Sequence, residues 1–141
     1  MKCLGIDFGL KRVGLAVSDP QGKMAFPLKT IHRGTREDLF NEIIEIINSL
    51  GIEAIVLGLP LGPEGQESLS CRQIQNFRIS LERRTAVPVH IINEACTSHE
   101  AELILKGRGV RGKNLKDQLD QAAAVLILDS FLAGRQSAGE G

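Results

Sequence analysis

Residues Ile52 to Leu59, IEAIVLGL, form an almost unbroken apolar run. It is too short to cross a bilayer as a helix, and it lacks the alternation of a strand with one wet face. A strand hydrophobic on both sides needs a cover on both sides, and helices supply it. The run therefore commits the chain to an α/β architecture. Its neighbours agree. Upstream, Thr35 with Asp38 three residues on resembles a capping box, and Leu39, Phe40, Ile43, Ile44, Ile46, Ile47 and Leu50 make a helical stripe that Gly51 is placed to end. Downstream, a helix over about 66–84 presents Ile74, Phe77 and Leu81, and Val87 to Ile92 reads as a further strand.

The first third of the chain is different. Lys2 to Asp7 and Val13 to Val17 are short apolar runs separated by a glycine-containing turn, the pattern of a β-hairpin. After the turn composition Asp19-Pro20-Gln21-Gly22, a third strand is expected over Ala25 to Ile31. Three antiparallel strands followed by helix-and-strand alternation imply a mixed five-stranded sheet with helices on both faces. Near the end, Thr97 and Glu100 form another capping box for a helix stopping at Gly107, and a last helix is expected from about Leu115 to Leu132. One domain over residues 1–133 is expected, with a frayed tail over 134–141.

Charge enters here, because the total misleads. Seventeen Lys and Arg balance seventeen Asp and Glu. Zero net charge by itself counts against a polyanion partner, yet the charges are segregated. Residues 1–36 carry seven basic side chains and two acids, and residues 37–70 carry seven acids and no Lys or Arg. Fields act within about a Debye length, roughly 8–10 Å, so local sign matters more than the sum. The segment Lys106 to Lys116 holds five basic residues (Lys106, Arg108, Arg111, Lys113 and Lys116), three glycines and no acid, which suits a phosphate-gripping arm. Aromatic residues are 4%, all phenylalanine, so readout of backbone and shape is expected over base stacking. Cys3, Cys71 and Cys96 are too widely spaced for a disulfide framework or a zinc site, and Cys96 with His99 lacks a second pair. The opening MKCLGIDFG has no secretory pattern and no apolar run is long enough to span a membrane, so the expected location is cytoplasmic and no membrane partner is expected.

Three acids stand where apolar residues would be expected. Asp7 ends the first strand just before a glycine, and Glu94 lies just past the fifth strand. In open α/β sheets the ligand crevice lies at the carboxyl ends of the strands, which places both for chemistry. Asp120 interrupts the apolar last helix about two turns from its start, too deep for much benefit from the helix dipole. Such a carboxylate is costly unless paired, with Arg12 for instance, or bound to metal. Three carboxylates converging in one crevice need cations. Magnesium takes oxygen ligands, and two ions would activate water and stabilise the leaving oxygen of a phosphodiester.

The runs GIDFGLKRVGLAVSD, VLGLPLGPEG, NEACTSHEAE and LDQAAAVLILDSFL, in that order, resemble the YqgF/RuvX family over nearly the whole chain. These are ribonuclease H-fold proteins classed as Holliday-junction resolvase-like and as nucleases maturing the 5′ end of pre-16S rRNA. The resemblance implies strand order 3-2-1-4-5 and an active site of Asp7, Glu94 and Asp120 holding Mg2+ or Mn2+, two ions. It also implies a substrate groove lined by Arg12 and Gly14 of the first hairpin and by the GLPLGPEG loop. With Lys11 and the basic residues Lys106, Arg108, Arg111 and Lys113, these are the expected substrate contacts. One departure is visible. The family's third motif typically reads Asp-Glu-Arg, and here it is Asn93-Glu94-Ala95, which lowers local negative charge and removes a cation.

The expected function is a metal-dependent endonuclease acting on structured nucleic acid, with maturation of pre-16S rRNA on the pre-ribosome as the implied role. Cleavage of branched DNA is the near alternative. A non-catalytic RNA- or ribosome-binding module is the alternative that the Asn93 and Ala95 departures favour. The same strand–acid–glycine hairpin opens actin- and sugar-kinase-type ATPase domains, but those need two such domains around the nucleotide. A monomer and a homodimer are both compatible with the sequence.

Overall fold

The computed structural model of the chain describes residues 1–9, 11–59, 71–93 and 115–139. Five strands, β1 (Cys3–Phe8), β2 (Arg12–Ser18), β3 (Ala25–His32), β4 (Ala54–Leu59) and β5 (Val89–Asn93), form one sheet in the order β3-β2-β1-β4-β5. β1, β2 and β3 pair antiparallel, while β1–β4 and β4–β5 are parallel. This is the mixed sheet, in the 3-2-1-4-5 order, that the resemblance implies. The parallel centre is where the unbroken apolar run sits: Ile55, Val56 and Leu57 are completely buried.

The pleat sends successive residues to opposite faces, and each face has its own core. Leu4, Ile6, Val13, Leu15, Ile55 and Leu57 pack against α1 (Arg36–Leu50) and α2 (Cys71–Glu82). Cys3, Ala16, Ala54 and Val56 on the other face pack against α3 (Leu115–Gly139) through Ala124, Ile127, Leu128, Phe131 and Leu132. The α3 side of the sheet is built from small residues, so the helix lies close to the strands. Gly5 is one contact point: a Cβ there would meet the Ala124 carbonyl at 2.9 Å.

The ends of α1 are those the sequence marks. The Thr35 hydroxyl accepts from the Asp38 backbone N–H at 3.1 Å, and Gly51 closes the helix in the left-handed region at φ 66°. Its stripe residues Leu39, Phe40, Ile43 and Ile47 are buried, while Glu37, Asp38 and Glu45 face solvent. The acidic block is thus largely an exposed helix face, with Glu42 paired to Lys29. Two boundaries differ from expectation. β1 runs through Phe8, because its antiparallel pairing continues to Phe8↔Val13. The last helix continues to Gly139, seven residues past Leu132, since the tail GRQSAG has no proline to stop it. The helix expected over 97–107, the basic segment as far as Asn114 and the GLPLGPEG loop beyond Leu59 lie outside the described residues. Among the described residues no helix is long and apolar enough to cross a membrane.

Candidate active site

Asp7 is the penultimate residue of β1, and its direct cross-strand partner is Gly14 of β2. Directly opposed residues share a face, and the alternation puts both on the α3 side, with Gly5 and Ala16. Phe8, one residue on, turns to the other side and packs against the α1/α2 core.

Gly14 brings the helix down onto Asp7. A Cβ at Gly14 would sit 2.0 Å from the Asp120 carbonyl oxygen and 2.3 Å from its carbonyl carbon. Only a residue without a side chain lets the helix backbone lie so near the strand. The close approach puts Asp120 beside Asp7, 113 positions earlier in the chain. Gln121, the next residue in the helix, donates Nε2–H to the Thr30 hydroxyl of β3 at 3.2 Å and fixes the helix rotation. Arg12 completes the cluster: its Nε donates to Asp120 Oδ2 at 2.7 Å.

The turn that carries Arg12 is itself anchored. Gly9 N–H donates to the Arg12 carbonyl at 3.0 Å, Arg33 N–H donates to the Lys11 carbonyl at 2.9 Å, and Arg33 Nη1 donates to the Gly9 carbonyl at 3.0 Å. Lys11 projects from this turn into solvent.

Electrostatically, Asp7 is the strained member. Burial pushes its carboxyl up to about 7 from the ordinary 3.8, with the neighbouring charge of Asp120 adding in the same direction. Asp120 has Arg12 as counter-ion. Two carboxylates close together in a desolvated strand end are a hard-oxygen donor pair that a cation would relieve.

Of the residues expected from the sequence, the structure brings together Asp7, Asp120, Arg12 and Gly14. Arg12 pairs with Asp120, and Gly14 is the seat of the helix. Glu94 follows Asn93, the last residue of β5, and lies outside the described residues, as do Lys106, Arg108, Arg111 and Lys113. Among the described residues no group of three His, Cys, Asp or Glu side chains is placed to hold a metal. Gly58 of β4 lies under Ile127, whose Cδ1 would be 2.3 Å from a Cβ there.

A family model described as RuvX, Holliday junction resolvase, matches residues 1–134. The chain belongs to the RuvX family. A relative from Maridesulfovibrio salexigens is 47% identical over 133 residues, covering 94% of this chain and 98% of its own, and is provisionally named a pre-16S rRNA nuclease. A relative from Chloroflexus aurantiacus, with the same provisional name, is 34% identical over 134 residues, covering 95% of this chain and 88% of its own. Among solved structures, Thermus thermophilus RuvC superposes with a TM-score of 0.64 at 18% identity, covering 97% of both chains. The same protein in complex with a Holliday junction substrate gives 0.63, covering 97% of this chain and 96% of that one. At that identity the likeness concerns the fold, which is the ribonuclease H-like architecture of RuvC.

Sequence reading missed a second group of residues. Arg33, Phe8, Phe77, Phe40 and Arg84 form a continuous stack on the α1/α2 side of the same sheet end. The Arg33 guanidinium lies 4.7 Å from the Phe8 ring centre, and Phe8 stacks on Phe77 at 4.1 Å. Phe77 then stacks on Phe40 at 5.4 Å, and Phe40 is capped by Arg84 at 4.1 Å. Its members come from β1, α1, α2 and the segments between, and no local spacing in the sequence marks them as neighbours.

Proposed function

We propose that this RuvX-family chain is an endonuclease that hydrolyses phosphodiester bonds of structured nucleic acid with the help of divalent metal, and that its substrate is the 5′ end of pre-16S rRNA. The observation that carries the reading is the seating of α3 on Gly14, which sets Asp120 beside the perturbed carboxyl of Asp7 at the carboxyl end of β1. A carboxyl raised first by desolvation and then by a like-charged neighbour, in a strand-end crevice, has the signature of a functional group more than of a packing residue. The names carried by relatives of 34–47% identity support the nuclease class and the RNA substrate.

Asp7 and Asp120 would hold the metal, Mg2+ or Mn2+, as two ions, with Glu94 as the third acid. All are oxygen donors, the set hard divalent cations take. Bound there, such ions supply Lewis-acid activation of water and charge stabilisation at phosphorus. The protein's own part is positional. Asp7 is held by its pairing with Gly14 of β2, one residue past the last parallel pair of β1 with β4, Ile6↔Leu57, and Asp120 is held by the helix seat and by Gln121 on Thr30. Arg12 keeps the Asp120 carboxylate oriented and places one positive charge at the edge of the crevice, where a substrate phosphate would arrive. Lys11, exposed on the same turn, would add a second positive charge, and Lys106, Arg108, Arg111 and Lys113 would be further phosphate contacts.

The test is cleavage of a 5′-extended 16S precursor and of a four-way DNA junction, side by side, in Mg2+ or Mn2+, with Asp7→Asn as the control. Metal-dependent cutting of the precursor that Asp7→Asn abolishes is the expected result. Preference for the junction would move the substrate to branched DNA, the activity in the family's description. Binding that survives chelation, with no cutting under either metal, would leave a binding module.

A further inference from the structure

We propose that the cleft at the carboxyl end of β1, on the sheet face opposite Asp7, is a second phosphate site that grips the backbone of the substrate strand away from the scissile bond. The cleft has a volume of about 230 Å³ and is walled by Phe8, Phe77, Arg33, Arg36, Gln73 and Asn76. Its described lining contains two guanidiniums and two amides and no carboxylate. It is smaller than the roughly 300–1,000 Å³ of drug-sized ligand pockets, so it suits one backbone unit and not a stacked pair of bases.

The aromatic stack decides what kind of group enters. Phe8 is covered on one face by Arg33 and stacks on Phe77, and Phe77 in turn stacks on Phe40. With ring faces committed in this way, the cleft presents no aromatic platform to a base. The rings instead fix the guanidiniums. Arg33 lies on Phe8 and donates to Gly9, while Arg36 lies 5.5 Å from the centre of Phe40 and is tied to the Ser80 hydroxyl. A guanidinium held against a ring and by a hydrogen bond is positioned in advance, and its planar fork of N–H groups is the geometry that meets phosphate oxygens in pairs. Gln73 and Asn76 are exposed on α2 beside them and add amide N–H donors.

Position gives the site its meaning. Asp7 and Phe8 are consecutive, and the pleat sends one to the α3 face and the other to this cleft. A strand lying across the sheet end would contact the acids on one side and the arginines on the other. The inference rests on the nuclease reading only for the identity of the polyanion; the site itself stands on the cleft.

The experiment uses the full chain and a fluorescently labelled single-stranded RNA, followed by anisotropy across a salt series in EDTA, so that cleavage is silent. Arg36→Ala and Arg33→Ala are each expected to weaken binding about 3- to 10-fold and to lower the slope of log affinity against log salt by roughly 0.7. Because Arg33 also anchors the β1–β2 turn, the exposed pair Gln73→Glu and Asn76→Asp serves as the variant that leaves the stack intact. It is expected to weaken binding to a similar degree with an unchanged melting temperature. Inorganic phosphate alone is titrated into the wild type and into each variant. Wild-type RNA affinity and salt slope in all the variants would overturn the proposal. So would phosphate-induced stabilisation that the variants lose while RNA affinity stays unchanged, since the cleft would then hold a free anion only. A wild-type chain that cuts nothing in Mg2+ or Mn2+ would refute the nuclease reading, and leaves the binding result to judge the cleft.

Discussion

Replacing Gly14 by alanine would place a Cβ 2.0 Å from the carbonyl oxygen of Asp120, 2.3 Å from its carbonyl carbon and 2.8 Å from its Cβ. None of these atoms is the loose end of a side chain. Two belong to the backbone of α3 and cannot swing aside, so the helix must retreat by about 1 Å to reach even the shortest Cβ contacts proteins tolerate. Overpacking a formed core costs about 1–3 kcal/mol, and a rigid helix backbone puts this case at the upper end, about 3 kcal/mol. The same retreat carries Asp120 away from Asp7. A misplacement of about 1 Å in a catalytic group costs on the order of 100-fold in rate. Gly58→Ala is the informative comparison, because its clash is with the side chain of Ile127 (Cδ1 at 2.3 Å, Cγ1 at 2.8 Å) and not with helix backbone; a smaller cost than for Gly14→Ala, about 1–2 kcal/mol, and a near-normal rate are expected. Gly34→Ala, with nothing within 4 Å, controls for loss of glycine as such. Urea unfolding gives the stabilities, and cleavage of the 16S precursor under conditions where all variants stay folded gives the rates. A Gly14→Ala protein with wild-type midpoint and wild-type rate would refute the view that this contact sets the two acids together.

Asp7 also predicts a pH dependence. Its folded carboxyl titrates near 7 against an ordinary 3.8, so between those values the folded protein keeps a proton that the unfolded chain has released. Stability therefore falls as pH rises from about 4 to about 7 and levels off above, by an amount on the order of 4 kcal/mol. Asp7→Asn, which mimics the protonated form, should remove that slope and be the more stable protein at pH 8; parallel urea titrations at pH 5 and pH 8 that give equal differences would contradict it. Arg12→Ala deprives Asp120 of its counter-ion and should cost about 1 kcal/mol at pH 8 without metal, read from the same titrations. Thr35→Ala removes the cap on α1 and should cost about 1 kcal/mol in the same urea titrations.

Much of the fold was readable in order along the chain. The continuous apolar run gave the buried parallel strand, and the meander was readable from short runs broken by turn residues. The caps of α1 were legible at Thr35 and Gly51, because capping is a local interaction and leaves a local pattern. Asp7 and Asp120 stood out for a related reason: each is an acid interrupting an apolar pattern, and such interruptions cost free energy that something must offset. The glycine seat was not legible. Glycine in a strand has many explanations, and the one that applies to Gly14 lies in a helix more than a hundred residues away. The Arg–Phe stack escaped for the same reason, since low aromatic content says nothing about which three of the five phenylalanines meet.

By itself the sequence determined the element types, the two-sided burial of the central strand and the candidates for chemistry, because periodicity and local cost are properties of neighbouring residues. Tertiary structure alone decided the distances. It set α3 on Gly14, paired Arg12 with Asp120, raised the carboxyl of Asp7 and gathered the arginines over the phenylalanines at the other side of the same strand end. Each of these depends on desolvation or on contact between segments far apart in the chain, and such terms come into being only when the sheet and its helices close on one another.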